Sequence, residues 1–358
     1  MKFPALLPAD EVLAQLDEYD SIIDVRSPSE FALDHIPGAI NCPVLDDDER
    51  IRVGTIYKQD SPFEARKIGA ALVARNIGLQ LEQHFLSMPR DWKPLVYCWR
   101  GGNRSGSMAH VLARIGWPVV QLDGGYKEYR RSVITLLDEQ PQRLRFRSIC
   151  GTTGSGKSRL LQYLIRAGAQ VLDLEALAAH RGSVLGGLPA EPQPSQKMFE
   201  SRLWQALRGF SSQRVVYVES ESKKIGDLRV PDKLMERMRA SPCIRVDLSV
   251  ANRVKLLIED YPHLVTDTGL LGRQLAHLVP LHGKERIDEW MALADAGKTE
   301  ALVEALLVEH YDPAYLRSIE RNFTGYRNAN VLSLEGIAEA DFALAADTLV
   351  AAETDLGD

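Results

Sequence analysis

The stretch Tyr97–Gly106, YCWRGGNRSG, gathers a thiol, paired glycines and two arginines. Cys98 follows the apolar run Pro94-Leu95-Val96-Tyr97, which reads as a short buried strand. Met108–Ile115 has helical spacing and stops at Gly116. The thiol therefore opens a loop between a strand and a helix. A glycine-rich turn entering a helix can aim several backbone N–H groups at one point, and the helix N-terminus adds partial positive charge. Gly101 and Gly102 supply the turn, Arg104 and Arg100 supply charge, and Trp99, Asn103 and Ser105 complete the loop. Such a bowl holds an oxyanion and favours the thiolate, the nucleophilic form of cysteine. The chemistry this predicts is attack by Cys98 on a group carried by an anion. An ordinary helix start with an inert buried cysteine would not need this coincidence of residue types.

A second constellation is GTTGSGKS, comprising Gly151, Thr152, Thr153, Gly154, Ser155, Gly156, Lys157 and Ser158. It fits G-x-x-x-x-G-K-S without a mismatch. It follows a short strand, Phe146–Cys150, and opens a helix, Lys157–Arg166, as the motif requires. Backbone amides would wrap a diphosphate, Lys157 would neutralise it, and Ser158 could hold Mg²⁺. The motif alone says nucleotide. The strand Val215–Val218 ends in Glu219-Ser220-Glu221-Ser222-Lys223-Lys224. Glu219 and Glu221 stand where a P-loop protein places a metal or water partner, although an acid at a strand end is often only solvated. Lys223 and Arg253 are further candidates for this second site. His263, His277 and His282 lack tight metal spacing, so no resident metal is expected.

Strands and helices alternate around these loops. Ser21–Arg26 reads as a strand, Ser27 as the cap of a following helix, and His35–Pro43 as a turn into another short strand. Val119–Asp123 is a strand, and Gly124-Gly125 breaks into a helix over Tyr126–Leu137. This alternation implies parallel α/β sheets. Leu45–Met88 is an insertion with an acidic run, Asp46–Arg50, and a helical run, Ala65–Ala74; the acidic run reads as a solvated face. The polar, proline-containing Glu139–Gln142 marks the linker. Arg143–Arg147 alternates basic and apolar residues, which favours an edge strand with solvated arginines over a phosphate-contacting stripe. Val171–Leu174 and Ile244–Leu248 are strands, Ala251–Tyr261 is a helix, and Leu270–Ala351 is mostly helical.

The 358 residues suffice for two domains. Hydrophobic content of 45% and charged content of 26% are those of a soluble globular protein. No apolar run approaches membrane-spanning length, and MKFPALLPADEVL lacks the features of a signal peptide. Four cysteines lie far apart, which argues against a zinc site or a disulfide framework and predicts a cytoplasmic protein. A net charge of −6 gives no support for nucleic-acid binding beyond a local basic patch.

IIDVRSPSEFALDHIPGAINCPV (Ile22–Val44), YCWRGGNRSG and VQLDGGYKEYR resemble the rhodanese family, in that family's order. The resemblance implies that Cys98 carries sulfur or selenium as a persulfide-type intermediate. Single-domain rhodaneses usually have a six-residue loop starting at the cysteine, whereas Arg104 here closes a loop of seven. The related cell-cycle phosphatases share the longer loop, whose wider bowl would admit phosphate or selenophosphate. The order of YCWRGGNRS, GTTGSGKS and VESESKKIG resembles the bacterial tRNA 2-selenouridine synthases over nearly the whole chain. That resemblance implies an α/β protein with an N-terminal rhodanese-like parallel-sheet domain over 1–138. A P-loop NTPase-like α/β domain with a helical C-terminal part would follow over 143–358. It also implies conversion of wobble 2-thiouridine in tRNA to 2-selenouridine, through an S-geranyl intermediate. The partners would be tRNA, with Arg143, Arg145, Arg147, Lys223, Lys224 and Arg253 as candidate contacts on the resemblance alone, geranyl diphosphate at the P-loop, and selenophosphate at Cys98. Cys98 would take up selenium, release phosphate and displace the geranyl-thiol group as Cys98–S–Se⁻. No permanently bound cofactor is implied, and Mg²⁺ could accompany the diphosphate.

The residues leave other readings open. A rhodanese-type sulfurtransferase fused to an ATP- or GTP-hydrolysing domain predicts thiosulfate:cyanide activity and nucleotide turnover. A C-x5-R phosphatase would need a general acid that the sequence does not identify. An RNA-binding module without catalysis would need neither Cys98 nor Lys157-Ser158.

Overall fold

A computed structural model describes residues 3–182, 192–262 and 267–354. His263 lies outside them. The chain forms two compact units. The first comprises Met1–Leu136 with Pro194–Gln205, and the second Leu137–Gln193 with Ala206–Asp358. The segment Pro194–Gln205 thus packs with the first unit, although the expected division assigned it to the second.

The first unit is built on a parallel five-stranded sheet, in spatial order β1-β5-β4-β2-β3. Its strands are β1 (Ala5–Leu7), β2 (Ser21–Asp24), β3 (Ala39–Asn41), β4 (Pro94–Tyr97) and β5 (Val120–Leu122). β4 is central and buried along its whole length, as its unbroken apolar run predicts. Helix α1 (Ala9–Ala14) follows β1. Helix α2 (Pro28–Leu33) is capped by Ser27, with Glu30 completing the capping box. Helix α5 (Asn103–Ile115) buries Met108, Ala109, Leu112 and Ala113 against Ile23 and Val96.

The insertion is a pair of helices, α3 (Asp47–Gln59) and α4 (Pro62–Gln80). The acidic run sits at the start of α3, where Asp46 accepts from the Glu49 N–H at 2.7 Å. Carboxylates there complement the helix dipole, so the run is a helix start rather than only a solvated face.

Helix α6 runs from Gly125 to Arg143 and contains the expected linker. The polar stretch does not break it, because the buried stripe of Tyr129, Val133 and Leu137 continues at Pro141. The end of α6 is satisfied by Arg237, which donates to the carbonyls of Pro141 at 3.3 Å and Leu144 at 3.1 Å.

The second unit has its own parallel sheet, in order β12-β11-β6-β8-β7. Its strands are β6 (Arg145–Cys150), β7 (Gln170–Leu172), β8 (Val215–Glu219), β11 (Pro242–Asp247) and β12 (Gly325–Ser333); β9 (Lys224–Ile225) and β10 (Leu228–Arg229) form a separate small ribbon. β6 is central, between β11 and β8, and not an edge strand. Its basic alternation covers only the first residues; Ser148, Ile149 and Cys150 are buried. Helix α7 (Lys157–Arg166) packs Leu160, Leu161 and Leu164 onto the sheet. Helices α8 (Leu174–Ala178), α9 (Gln196–Arg208), α10 (Asp232–Arg239) and α11 (Val250–Asp260) follow. The rest is helical, as expected, except for β12, which completes the sheet edge. Among the described residues no helix is long and apolar enough to cross a membrane. All four cysteines are free and buried.

Candidate active sites

In the first unit, Cys98 directly follows the C-terminal end of the central strand β4, and only 3% of the residue is exposed. The Ser105 hydroxyl, on the first turn of α5, donates to Cys98 Sγ at 3.2 Å. Gln121 on β5 donates through Nε2 to the Gly101 carbonyl at 2.7 Å and to Ser105 Oγ at 3.2 Å. The loop is therefore pinned from a neighbouring strand, and a hydroxyl donor is fixed on the sulfur. Arg104 points its Nη1 at Glu30 Oε2, 2.7 Å away, so its charge is shared with Glu30 rather than given wholly to the bowl. Burial alone would raise the Glu30 pKa; the Arg104 guanidinium and the Ser27 N–H outweigh it and hold the carboxyl below its usual range. Arg100, Gly102 and Asn103 are exposed, and Trp99 is half-buried with its ring 5.2 Å from that of Tyr126.

A buried cluster that composition and spacing did not mark supports the loop from below. Asp24 and Arg26 form a paired salt bridge, with Arg26 Nη2 2.6 Å from Asp24 Oδ2 and also donating to the Asp34 carbonyl at 2.6 Å. The guanidinium lies 4.0 Å from the Tyr126 ring centre, and the Tyr126 hydroxyl donates to Asp34 Oδ2 at 2.8 Å. Tyr126 N–H in turn donates to the Cys98 carbonyl at 2.8 Å. Arg26 is 1% exposed, so removing either partner would strand a buried charge.

Gly125 closes this arrangement. Its φ is +58°, and a Cβ there would collide with the Cys98 carbonyl and the Gly101 amide. Both obstacles are backbone and cannot rotate away. The Gly125→Ala variant is expected to displace the Cys98 loop and cut chemistry at Cys98 by about tenfold or more. Chemistry at the P-loop should stay within twofold, about the scatter of such a rate comparison. Equal losses at both loops would show that Gly125 acts on the whole fold instead.

In the second unit, β6 leads into the loop Gly151–Gly156, and α7 begins at Lys157. Lys157 Nζ donates to the loop's own carbonyls, Gly151 O at 2.6 Å and Thr152 O at 3.2 Å. Burial lowers its pKa, while Glu175 and Glu221 pull the other way. Ser158 Oγ donates to Glu175 Oε2 at 2.8 Å, and the Glu175 N–H donates to Glu219 Oε1 at 2.9 Å. The loop opens on a cavity of about 740 Å³ whose walls include Lys157, Ser158, Glu175 and Glu221.

The anticipated residues divide. Glu219 and Glu221 stand beside the loop, with Glu219 buried and its Oε2 without a hydrogen-bond partner. Lys223 does not line the cavity; it pairs with Asp232 at 2.5 Å and is half exposed. Arg253 is 4% exposed and grips structure: its Nε donates to Thr153 O at 2.9 Å, and its Nη1 and Nη2 hold Asp312 at 2.9 and 2.6 Å. It positions the loop's backbone. Tyr315 does the same from the helix Asp312–Asn322, its hydroxyl accepting from Gly151 N–H at 2.7 Å. Glu175, Asp312 and Tyr315 were not among the anticipated residues.

Asp173, Glu175, Glu219 and Glu221 form a carboxyl cluster whose pKa values are all raised. Burial is the main cause for each, reinforced at Glu175 by Glu221 and at Glu219 by Asp173, Glu175 and Glu221. Glu175 is pushed up to about 7. A carboxyl with a raised folded-state pKa binds its proton more tightly when folded. Its stabilising contribution is present below the usual carboxylate range and is lost as pH rises through about 7. The thermal midpoint should therefore fall by a few degrees between pH 5 and pH 8, and less in Glu175→Gln. Identical pH profiles for the two proteins in thermal unfolding would refute this.

Hard oxygen donors suit Mg²⁺, and the Ser158 hydroxyl and Glu175 carboxylate fit it beside a diphosphate. Among the described residues no three or more His, Cys, Asp or Glu side chains form a metal-binding group by themselves.

The comparisons with known proteins agree with this division. A rhodanese-like domain model matches residues 8–132, and a model described as the tRNA 2-selenouridine synthase AAA domain matches 144–275. A protein of Nitrosomonas europaea is 37% identical over 276 residues, covering 76% of this chain and 71% of its own length. One from Nitrosomonas eutropha is 34% identical over 90% of this chain and 80% of its own. One from Aeromonas salmonicida is 31% identical over 93% of this chain and 97% of its own. All three bear the name tRNA 2-selenouridine synthase. At these identities and coverages, the chain belongs to the tRNA 2-selenouridine synthase family.

Proposed function

We propose that this enzyme replaces the sulfur of wobble 2-thiouridine in tRNA by selenium, using geranyl diphosphate at the P-loop and selenophosphate at Cys98. The observation that carries the reading is the presence, in one chain, of a cysteine-centred anion bowl and a complete diphosphate loop.

The two loops supply what the exchange needs. A thiocarbonyl sulfur is a poor leaving group. In the first step the sulfur attacks C1 of the geranyl group, the C1–O bond breaks, and N3 of the base loses its proton. The departing diphosphate gathers charge, which the loop amides and Lys157 meet. A Mg²⁺ held by Ser158 and Glu175 would add charge neutralisation at the same oxygens. In the second step selenium adds at C2 and the geranyl thiol leaves.

Selenium travels on Cys98 as Cys98–S–Se⁻. Selenophosphate holds selenium at the selenide level, so forming the S–Se bond is a two-electron oxidation. Releasing selenide to the base is the matching reduction. The chain's four cysteines are free and hold no thiol–disulfide couple, so a small-molecule disulfide from solution would accept the two electrons and the thiol so formed would return them, and water carries phosphorus away as phosphate. The Ser105 hydroxyl holds the Cys98 sulfur in place by its hydrogen bond.

The test is mass analysis of a 2-thiouridine-containing tRNA anticodon stem-loop, given geranyl diphosphate and then selenophosphate. A geranyl adduct that converts to a selenium product is expected. Unchanged RNA, with ATP hydrolysed or thiosulfate sulfur transferred, would move the assignment to a sulfurtransferase fused to a nucleotidase.

A further inference from the structure

Beside the P-loop lies a second, apolar cavity of about 90 Å³. Leu257 and Ile258 of α11 form one wall, and Leu271, Leu302 and Leu306 of the C-terminal helices form the other. Among the described residues no charged side chain lines it, and the polar groups there come only from threonine and tyrosine. Thr153, Leu257, Tyr261 and Tyr311 line both this cavity and the larger one on the loop. The loop backbone is seated on the shared wall: Gly154 has φ +76°, and a Cβ there would stand 2.9 Å from Leu257 Cγ. A wide helical turn, Leu307–Tyr311, lies between the two, with Leu307 facing the apolar cavity and His310 the polar one. Such π turns recur at functional sites.

A nucleotide base or sugar would need amide, carbonyl or charged partners in this second space. A hydrocarbon needs none, and its removal from water is favourable in itself. We infer that the cavity receives the far end of the hydrocarbon chain of the diphosphate bound at Gly151–Ser158, and that Leu302 and Val303 set the chain length accepted. The inference rests on the prenyl-transfer reading and adds to it a tail site and its selectivity residues. Leu302 is 3% exposed and lines the cavity.

The experiment compares dimethylallyl, geranyl and farnesyl diphosphates with the full-length protein and a 2-thiouridine-containing stem-loop. Readouts are kcat/KM for each donor, by mass of the RNA product, and inhibition by inorganic diphosphate. Leu302→Ala deepens the cavity and should raise the farnesyl-to-geranyl ratio about tenfold. Leu302 also belongs to the core of the helical region, so that variant could lose folding. Val303 is only partly buried, and Val303→Phe fills the cavity instead. It should lower geranyl kcat/KM about tenfold while inorganic diphosphate inhibits as in the wild type. Unchanged donor ratios in folded variants, with diphosphate inhibition intact, would overturn the tail site alone. A wild-type protein that transfers no prenyl group from any donor would overturn the prenyl-transfer reading, and the tail site with it.

Discussion

The Cys98→Ala protein is expected to build the S-geranyl tRNA at the wild-type rate and to stop there. Cys98 lies at the end of β4 with its sulfur held by Ser105, and the P-loop grows from β6 of a different sheet. Nothing in the diphosphate chemistry calls on a thiol. Loss of a covalent carrier should depress selenation by about 10³-fold or more. Mass analysis after each substrate separates the steps. Alanine removes little volume from the site and leaves the Gln121 bond to the Gly101 carbonyl in place, so the loop should survive. Two other outcomes are informative. Loss of both steps in a folded protein would contradict the division of labour. Undiminished selenation would mean that the selenium of selenophosphate attacks C2 directly, with water later cleaving the Se–P bond. That route balances without a thiol or a redox couple, and it would reduce the bowl around Cys98 to an anion-binding site.

Both loops were legible in the sequence because each is encoded locally. A strand, a glycine turn and a helix start lie within a few residues of one another at Tyr97–Gly106 and again at Cys150–Ser158. What surrounds them depends on pairing between distant segments, which local periodicity does not report. β6 reads as an edge strand from Arg143–Arg147, yet its place between β11 and β8 is set by residues about 70 to 100 positions away. β12 was hidden for another reason. It lies at the sheet's edge, most of its residues are exposed, and it shows no alternation for period two to detect. The polar stretch Glu139–Gln142 reads as the end of a helix, but the helix runs through it to Arg143 because its buried stripe continues at Pro141. Glu175 escaped notice because it is held by its tertiary setting: its backbone N–H rests on Glu219 and its carboxylate on Ser158. The one local signal was an acid-x-acid pair, Asp173 and Glu175, just after β7. Arg253 shows the opposite error. A cation near a phosphate loop invites a ligand role, but this one is committed to Thr153 O and Asp312.

Lys157→Ala should have the complementary effect to the cysteine variant. Geranylation is expected to fall by about 10² to 10³-fold, the cost of removing one preorganised partner of a developing negative charge. RNA supplied already geranylated should be selenated at the normal rate. The ammonium is held by the carbonyls of Gly151 and Thr152, on the loop that would wrap the diphosphate. It therefore needs no search to reach the leaving group, only an exchange of acceptors. Its pKa is lowered by burial and supported by Glu175 and Glu221, so bound diphosphate, by adding negative charge, should favour the charged form further. Lys157→Arg is the sharper control. It keeps the charge, but a planar guanidinium does not reproduce a compact ammonium between two carbonyls, so only partial rescue is expected. The pre-geranylated substrate decides what the loop is for. If Lys157→Ala fails to geranylate but selenates that RNA normally, the P-loop serves prenyl transfer. If it geranylates at the wild-type rate, the loop binds something other than geranyl diphosphate, and the nucleotide that its motif suggests becomes the first ligand to try.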